Sequence, residues 1–528
     1  MQVFRFHRNQ LKRFDDQHIN LAYNQEMYLP YINRPFGYEN FEKQLLEKEK
    51  DCAFGRSILA DVLNEQYTHI EKLGKIEEQI ESLRNSTTFT VTTGHQLSLM
   101  TGPLYFVIKI LQVVKQADEL NIKFPNNHFV PVYWMATEDH DFEEIQSFNL
   151  FGKTLKWESD QKGPVGRFNL DGLDEVRSEV KEMFKNHPDA PIHDLIDAYD
   201  GKSLTEATRN LVHELFKEYG LVIVDGDHPK LKKLFGSVIE KELKEQFSFK
   251  AISSTNEQLK RDGGKIQVKS REINLFYILD GLRSRIQFED GIYTIDKVGT
   301  FSVSEILAEF ENFPERFSPN VILRPVFQET ILPNLSYTGG VGEISYWLQL
   351  KGVFDAVDCT YPMISVRNSL MWIDGGTSKK MAKIDMLLED TFKATDLIKR
   401  EFVEQNSEGT LDFEELEDAS KQLAAFINKS VEAIDSTKMQ YAQSEIVRLE
   451  KQMTGIKEKL IKLSKQKHEE AMKIIEFVKE RLFPNDSLQE RTANFFSFCP
   501  DGDYAEKLDQ LYKSLNPEEN DFIVIREI

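Results

Sequence analysis

Two polar clusters in the chain each close an apolar run, and both carry residue types that can do chemistry. Thr92, Gly94, His95 and Gln96 follow the β-branched run 89–93, and Glu138, Asp139, His140 and Asp141 follow the run 129–136. A glycine with hydrogen-bond donors beside a helix start suits an anion, because the backbone can approach the ligand and free N–H groups point at it. The stretch reads either as an ordinary βα turn or as such an anion site, in which Gly94 and the adjoining backbone would hold a phosphate or acyl-phosphate with His95 as donor. The stretch TEDHDFEE reads in three ways: a solvated acidic loop, a metal site, or a pocket wall. As a metal site it lacks a helix-face spacing such as H-E-x-x-H. As a wall, Glu138, Asp139, His140 and Asp141 can bind an amine or hydroxyl groups and supply a base. A third stretch, 323–354, reads as a long loop with Pro333, Gly339, Gly340 and Gly342 around polar groups, after which Glu343, Ser345 and Tyr346 open a helix. Long ordered loops in compact domains are often functional. There Arg324, with Arg367 further on, can grip a carboxylate bidentately, and Asn334, Glu343 and Tyr346 add substrate-binding groups.

Those clusters need strands and helices to bring them together. A strand over 88–93, a helix from near Gly102-Pro103 and a strand over 129–136 make a βαβ unit, hence a parallel sheet. The helix carries Leu104, Ile108, Leu111, Val114 and Leu120 on one stripe. Strands are also expected over 221–227, 320–330 and 361–367, giving an α/β core whose ligands gather at the C-terminal strand ends. The stretches 151–205 and 229–312 read as insertions, the second containing the β-rich pieces IQVKS and SRIQFEDGIYTI. Before the first strand, FEKQLLEKEK and ADVLNEQYTHIEKLGKIEEQIESLR each read as helix.

From Lys379 to Leu482 the helical pattern runs almost unbroken until Pro484. Ile446, Leu449, Met453, Ile456, Leu460 and Leu463 alternate by three and four, as coiled-coil a and d positions do, with a polar interruption at Lys467 and Glu470. The stripe Leu416–Ala419–Leu423–Phe426–Ile434 is its expected antiparallel mate, with a turn at 435–438. This seam predicts a homodimer through the coiled coil. The expected layout is a core over 1–378, the helical domain over 379–483, and a segment 484–528 returning to the core.

Composition excludes several classes. A formal charge of −21 lacks the basic footprint of a nucleic-acid binder, no run reaches transmembrane length, and no signal core opens the chain. Cys52, Cys359 and Cys499 form no CxxC pair, so neither a disulfide framework nor a structural zinc site is expected. The expected location is cytoplasmic. Glycine-rich dinucleotide and P-loop fingerprints are absent.

Taken together, TTGHQLSLMTGPLYFVIK, VPVYWMATEDHDFEEI, FSPNVILRPVFQETILPNLSYTGGVGEISYW and LFPNDSLQERTANF resemble the cysteine-adding (BshC) family of bacillithiol biosynthesis along the whole chain. The resemblance implies a Rossmann-type core with connecting-peptide insertions and a dimerising coiled coil. It implies amide formation between cysteine and the amine of glucosaminyl-malate. The core is also similar to nucleotidylyltransferases and class I aminoacyl-tRNA synthetases, whose H/T-x-G-H signature Thr92-Thr93-Gly94-His95 fits. That implies ATP as activator of the cysteine carboxyl. The family commonly has glutamine at the position of His95, which implies a donor there and not a proton-transfer acid. The rival reading is a non-catalytic nucleotide- or thiol-binding protein whose coiled coil engages a partner.

Overall fold

The computed structural model describes residues 1–51, 55–406 and 413–528; Cys52 and the side chains of 464–467, Lys467 included, lie outside the described residues. The chain divides into two units: Val3–Met371 with Glu490–Ile525, and Trp372–Gln489 with Met1–Gln2 and Arg526–Ile528.

In the larger unit, Thr88–His95 (β1) puts Phe89 and Val91 on one face and Thr90 and Thr92 on the other, all buried. A strand buried on both faces belongs inside a parallel sheet. After β1 the helix Tyr105–Lys123 (α1) leads to His128–Met135 (β2), which pairs in parallel with β1 and then with Val222–Asp225 (β3). The chain next crosses back. Arg324–Ile331 (α2) leads to Asn334–Gly339 (β4), parallel to β1 on its other side, and Val341–Trp347 (α3) leads to Met363–Val366 (β5). The order is β5-β4-β1-β2-β3, so the sheet reverses its direction of growth between β1 and β4. The helix stripe expected from sequence is fully buried, and Val113, Ala117 and Leu120 of α1 pack with Phe89, Phe129, Leu335 and Met363 of four strands.

The structure overturns several local expectations. Residues 320–330 are not a strand: Arg324 and Pro325 open α2, where a proline loses no hydrogen bond. The supposed loop 323–354 contains β4, an interior strand. Its polar side chains Ser336 and Asn334 are paired across the sheet, Gln116 Nε2 donating to Ser336 Oγ at 2.6 Å and Thr92 Oγ1 to Asn334 Oδ1 at 2.8 Å. Residues 60–84 form two helices, Arg56–Gln66 and Lys75–Ser82, separated at Gly74, whose φ is +57°. IQVKS has no strand, whereas the β-rich SRIQFEDGIYTI falls in a hairpin of Leu282–Glu289 and Ile292–Ile295 within a five-stranded antiparallel insertion sheet.

The smaller unit is helical. Phe413–Asp435 and Met439–Lys467 pack as a hairpin around Ser436–Lys438, where Asp435 accepts from Thr437 N at 3.0 Å, and Lys457 pairs with Glu417 across it. Ile446 is buried, yet Phe426, Ile456, Leu460 and Leu463 remain exposed, so the hairpin leaves part of its apolar seam uncovered. The helix breaks after Lys467 and restarts as Glu469–Leu482. Among the described residues no helix is long and apolar enough to cross a membrane.

Arg367, expected at the ligand rim, is instead the partner of a buried carboxylate just past β5. Its Nη2 donates to Glu490 Oε1 at 2.7 Å, and Glu490 also accepts from Ser369 Oγ (2.7 Å) and Leu370 N (2.8 Å). Both side chains are nearly inaccessible, at 9% and 1% exposure. Glu490→Ala leaves an unpaired guanidinium buried, and unfolding in urea is expected to lose about 3–5 kcal/mol of stability. A loss below about 1 kcal/mol would mean the pair contributes no more than a surface contact.

Candidate active site

The reversal of strand order between β1 and β4 opens a crevice at the carboxyl ends of both strands, where open α/β sheets bind ligands. Gly94 and His95 are there, but as the last two residues of β1, paired with Trp134 and Met135 of β2, and not in a turn. No helix begins at Gln96 either. A 3-10 turn, Leu99–Thr101, intervenes before α1, and the amide of Leu104 at the α1 N-cap is taken by Ala493 O at 2.7 Å. The expectation that a helix N-terminus cradles a phosphate beside Gly94 is therefore not met.

A cavity of about 560 Å³ lies at this crevice, lined by Gly94, His95, Tyr105, Lys109, Tyr337 and Glu343 among others. Lys109 lies in an otherwise apolar stretch of α1, and its ammonium donates to Gly94 O at 2.5 Å and Glu343 Oε2 at 2.7 Å. Glu343, near the start of α3, also accepts from Tyr337 Oη at 2.9 Å and Gly340 N at 3.0 Å. Burial alone would raise the Glu343 carboxyl, but Lys109 and the Gly340 amide hold it below its ordinary range. Burial lowers the Lys109 ammonium against the opposing pull of Glu343. A methyl group on Gly94 would meet Tyr337 Oη at 2.8 Å, so this glycine makes room for a protein side chain.

His95 stacks on Tyr105 (ring centroids 5.3 Å apart, 9° between planes) and leans on Phe106 at 5.0 Å. Its Nε2 is buried with no hydrogen-bond partner among the described residues. Burial, with Lys109 nearby, pushes the imidazole down to about 3. An unpaired buried polar atom on a cavity wall is costly unless a ligand meets it.

A second cavity, of about 600 Å³, adjoins the first and shares Trp134, Ala136, Val321 and Arg324 with it. Glu138 and Asp139 line it from the end of β2. Glu138 is bound to the buried Lys232 at 2.6 Å, which also holds Asp227 at 3.0 Å; burial pushes the Glu138 carboxyl up against that pull. Asp139 accepts from Gln96 Nε2 (3.0 Å) and His140 N (2.7 Å). Burial would raise its carboxyl, yet those bonds and the charge of Arg283 keep it well below the usual carboxylate range. His140 is half exposed, with Nδ1 at 2.8 Å from Arg283 Nη1. Asp141 lines neither cavity and caps the short helix Phe142–Ile145. Arg324 opens α2 and reaches both cavities, lying over the Tyr337 ring at 5.7 Å, and Tyr346 of α3 stands beside it.

Of the residues singled out from sequence, Gly94, His95, Gln96, Glu138, Asp139, Arg324, Glu343 and Tyr346 meet around the two cavities. Thr92, His140, Asp141, Asn334 and Arg367 do not. Asn334 Nδ2 donates to Glu329 Oε1 at 2.7 Å and holds Thr92 from the other side, which makes both part of the sheet's internal bonding. Sequence reading missed Lys109, Tyr337 and Arg283. A lysine inside YFVIKILQVV was a visible signal for Lys109; nothing local marked the other two. Among the described residues no group of three or more His, Cys, Asp or Glu is placed to hold a metal ion.

Comparison with known proteins covers nearly the whole chain. Residues 12–368 match the N-terminal Rossmann-like domain of bacillithiol biosynthesis BshC, and residues 370–527 match its C-terminal coiled-coil domain. A protein of Flavobacterium johnsoniae named "Putative cysteine ligase BshC" is 40% identical over 507 residues, 92% of each chain. Proteins of the same name from Cytophaga hutchinsonii and Bacillus cereus are 40% identical (89% of each chain) and 28% identical (86% of this chain, 88% of the relative). Among solved structures, a "putative arginyl t-RNA synthetase" of Campylobacter jejuni aligns at 9% identity and a TM-score of 0.20 over 85% of this chain and 99% of that chain, a likeness that carries no argument.

The neutral state of His95 is measurable. A base whose pKa falls on folding binds more protons when unfolded, so its contribution to stability is whole above the ordinary value of 6.5 and is lost as pH falls toward about 3. In histidine-labelled protein the His95 ring resonances are expected to stay flat from about pH 8 to 5. An inflexion of His95 near its ordinary value would show that the ring is hydrated and not buried.

Proposed function

The chain belongs to the bacillithiol biosynthesis BshC family, and from that premise we propose that it joins the carboxyl group of cysteine to the amine of glucosaminyl-malate, forming bacillithiol. The family assignment supplies the enzyme class: a cysteine ligase. The observation that carries the finer reading is the pair of adjoining cavities at the strand-order reversal. One holds an unpaired neutral imidazole, the other an ionised carboxylate, and Arg324 lines both.

An amide from a free carboxylate and an amine is uphill in water, so the acyl group must arrive activated; ATP would supply that activation as an adenylate. In this reading the activated cysteinyl group lies in the inner cavity. His95 Nε2 donates to the oxygen that gains charge as the carbonyl becomes tetrahedral, and Arg324 faces the leaving phosphate. Lys109 does not touch substrate; it holds Gly94 and Glu343 in register. The acceptor amine enters through the outer cavity. Asp139, kept ionised, orients it, and the exposed His140 takes the proton released when the C–N bond forms. AMP leaves through its phosphate oxygen with the bonding pair of the broken C–O bond, pyrophosphate having left when the adenylate formed. A free-thiol product suits the reducing cytoplasm.

The reaction is tested by incubating the purified protein with cysteine, ATP and glucosaminyl-malate and following bacillithiol by mass spectrometry. His95→Gln keeps a donor and is expected to retain most of the rate, whereas His95→Ala is expected to lose about 10²–10³-fold. Equal inactivity of the two would assign His95 to proton transfer. Binding of nucleotide and thiol with no consumption of glucosaminyl-malate would replace the ligase by a binding protein.

The same reading includes a homodimer formed along the exposed seam of the hairpin, since Ile456, Leu460 and Leu463 lie on the helix that carries the heptads. Light scattering at micromolar concentration is expected to give the mass of two chains, and Leu449→Lys with Leu460→Lys to give one. A wild-type monomer, or a dimer indifferent to both lysines, would overturn it.

A further inference from the structure

The outer cavity has one wall that no step above uses. It is built by the insertion sheet, whose strands Leu275–Leu279 and Leu282–Glu289 pair antiparallel with Phe276 opposite Arg285 and Ile278 opposite Arg283. Side chains two apart on a strand share a face, and Arg283, Arg285 and Gln287 all line the cavity. Lys269 and Arg271, in the extended segment before the first of these strands, line it too. In a chain of net charge −21, such a gathering of cations is unusual.

Their partners make it more so. Arg283 is 9% exposed, lies over the Phe276 ring at 3.8 Å, and has a buried Nε with no hydrogen-bond partner among the described residues. Lys269, Arg271 and Arg285 are exposed and make no ion pair among the described residues. On the opposite wall Glu138 is already matched by Lys232, and Asp139 by Gln96 and the His140 amide. Glu272 is the one other acid lining the cavity. The cavity is thus polarised: carboxylates at the strand end, where Arg283 reaches Asp139 at 3.9 Å, and on the insertion three further cations, Lys269, Arg271 and Arg285, with no ion pair among the described residues.

We propose that this insertion wall is a carboxylate-reading subsite, in which Arg271, Arg283, Arg285 and Lys269 grip the acidic tail of an acceptor whose amine points at Asp139. The inference rests on the ligase reading for the direction of the amine and adds what selects the acceptor. A polyphosphate fits less well. No glycine-rich loop faces the cavity, and the ionised Asp139 would repel a chain of phosphates while attracting an amine. The planar guanidinium fork matches a carboxylate in two parallel hydrogen bonds. The ligand class is therefore a small amine carrying one or more carboxylates at its far end. The task first assigned to Arg367 passes to the insertion.

Calorimetry on the full-length protein tests this with three probes: glucosaminyl-malate, methyl glucosaminide (the same amine without the acid) and ATP. The wild type is expected to bind glucosaminyl-malate about 100-fold more tightly than methyl glucosaminide, from about tenfold for each charged contact. The double variant Arg271→Gln, Arg285→Gln changes two exposed side chains, so its melting curve should match the wild type. It is expected to lose that 100-fold advantage while binding methyl glucosaminide and ATP as before. Unchanged affinity of the double variant for glucosaminyl-malate overturns the subsite, as does equal wild-type affinity for the two sugars, or absence of binding to either. Loss of ATP affinity in their place would make the wall a polyphosphate site and overturn the proposal. Failure of the ligase reading looks different: the acid tail still governs binding, but no amide product forms.

Discussion

An ammonium buried under the end of a β-strand must find oxygen, and the two acceptors that Lys109 finds lie on opposite sides of the sheet's reversal. One is the carbonyl of Gly94 on β1; the other is the carboxylate of Glu343, just past β4. Breaking a buried charge pair costs more than forming it gains, so the contact works as a clamp. With β1 and α3 held, Tyr337 has a fixed partner in Glu343, Gly94 must remain without a side chain, and His95 is pressed against Tyr105. The geometry of the inner cavity follows from that one lysine.

Charge is allocated unevenly through the chain. Arginines of the same kind have opposite fates: Arg367 is consumed by Glu490 inside the fold, while Arg324 keeps its guanidinium on the cavity walls. The deciding factor is the neighbour supplied by a distant segment. Residue 490 brings a carboxylate to Arg367, whereas the groups around Arg324 are the phenols Tyr337 and Tyr346, with the Glu343 carboxylate already engaged by Lys109. The outer cavity repeats the pattern: Lys232 takes up Glu138 and Arg283 lies near Asp139, while Lys269, Arg271 and Arg285 have no ion pair among the described residues.

The helical unit obeys a different economy. Its hairpin buries Ile446 and leaves Ile456, Leu460 and Leu463 exposed, because two antiparallel helices can cover only one stripe of each other. The heptad pattern is longer than that stripe needs.

Periodicity alone determined the βαβ start, the buried stripe of α1, the β-rich SRIQFEDGIYTI and the helical hairpin with its turn at 435–438, since each is a local pattern of apolar spacing. It also marked both polar clusters that face the cavities, because a polar residue ending an apolar run is visible in one dimension. Tertiary structure decided the rest. β4 looked like a loop since its Asn334 and Ser336 are satisfied only by Thr92 and Gln116, hundreds of residues away in sequence. Residues 320–330 mix apolar types that suit either period, and packing made α2 of most of them. Whether an arginine serves a ligand or the fold depends on which carboxylate reaches it, and no spacing along the chain records that.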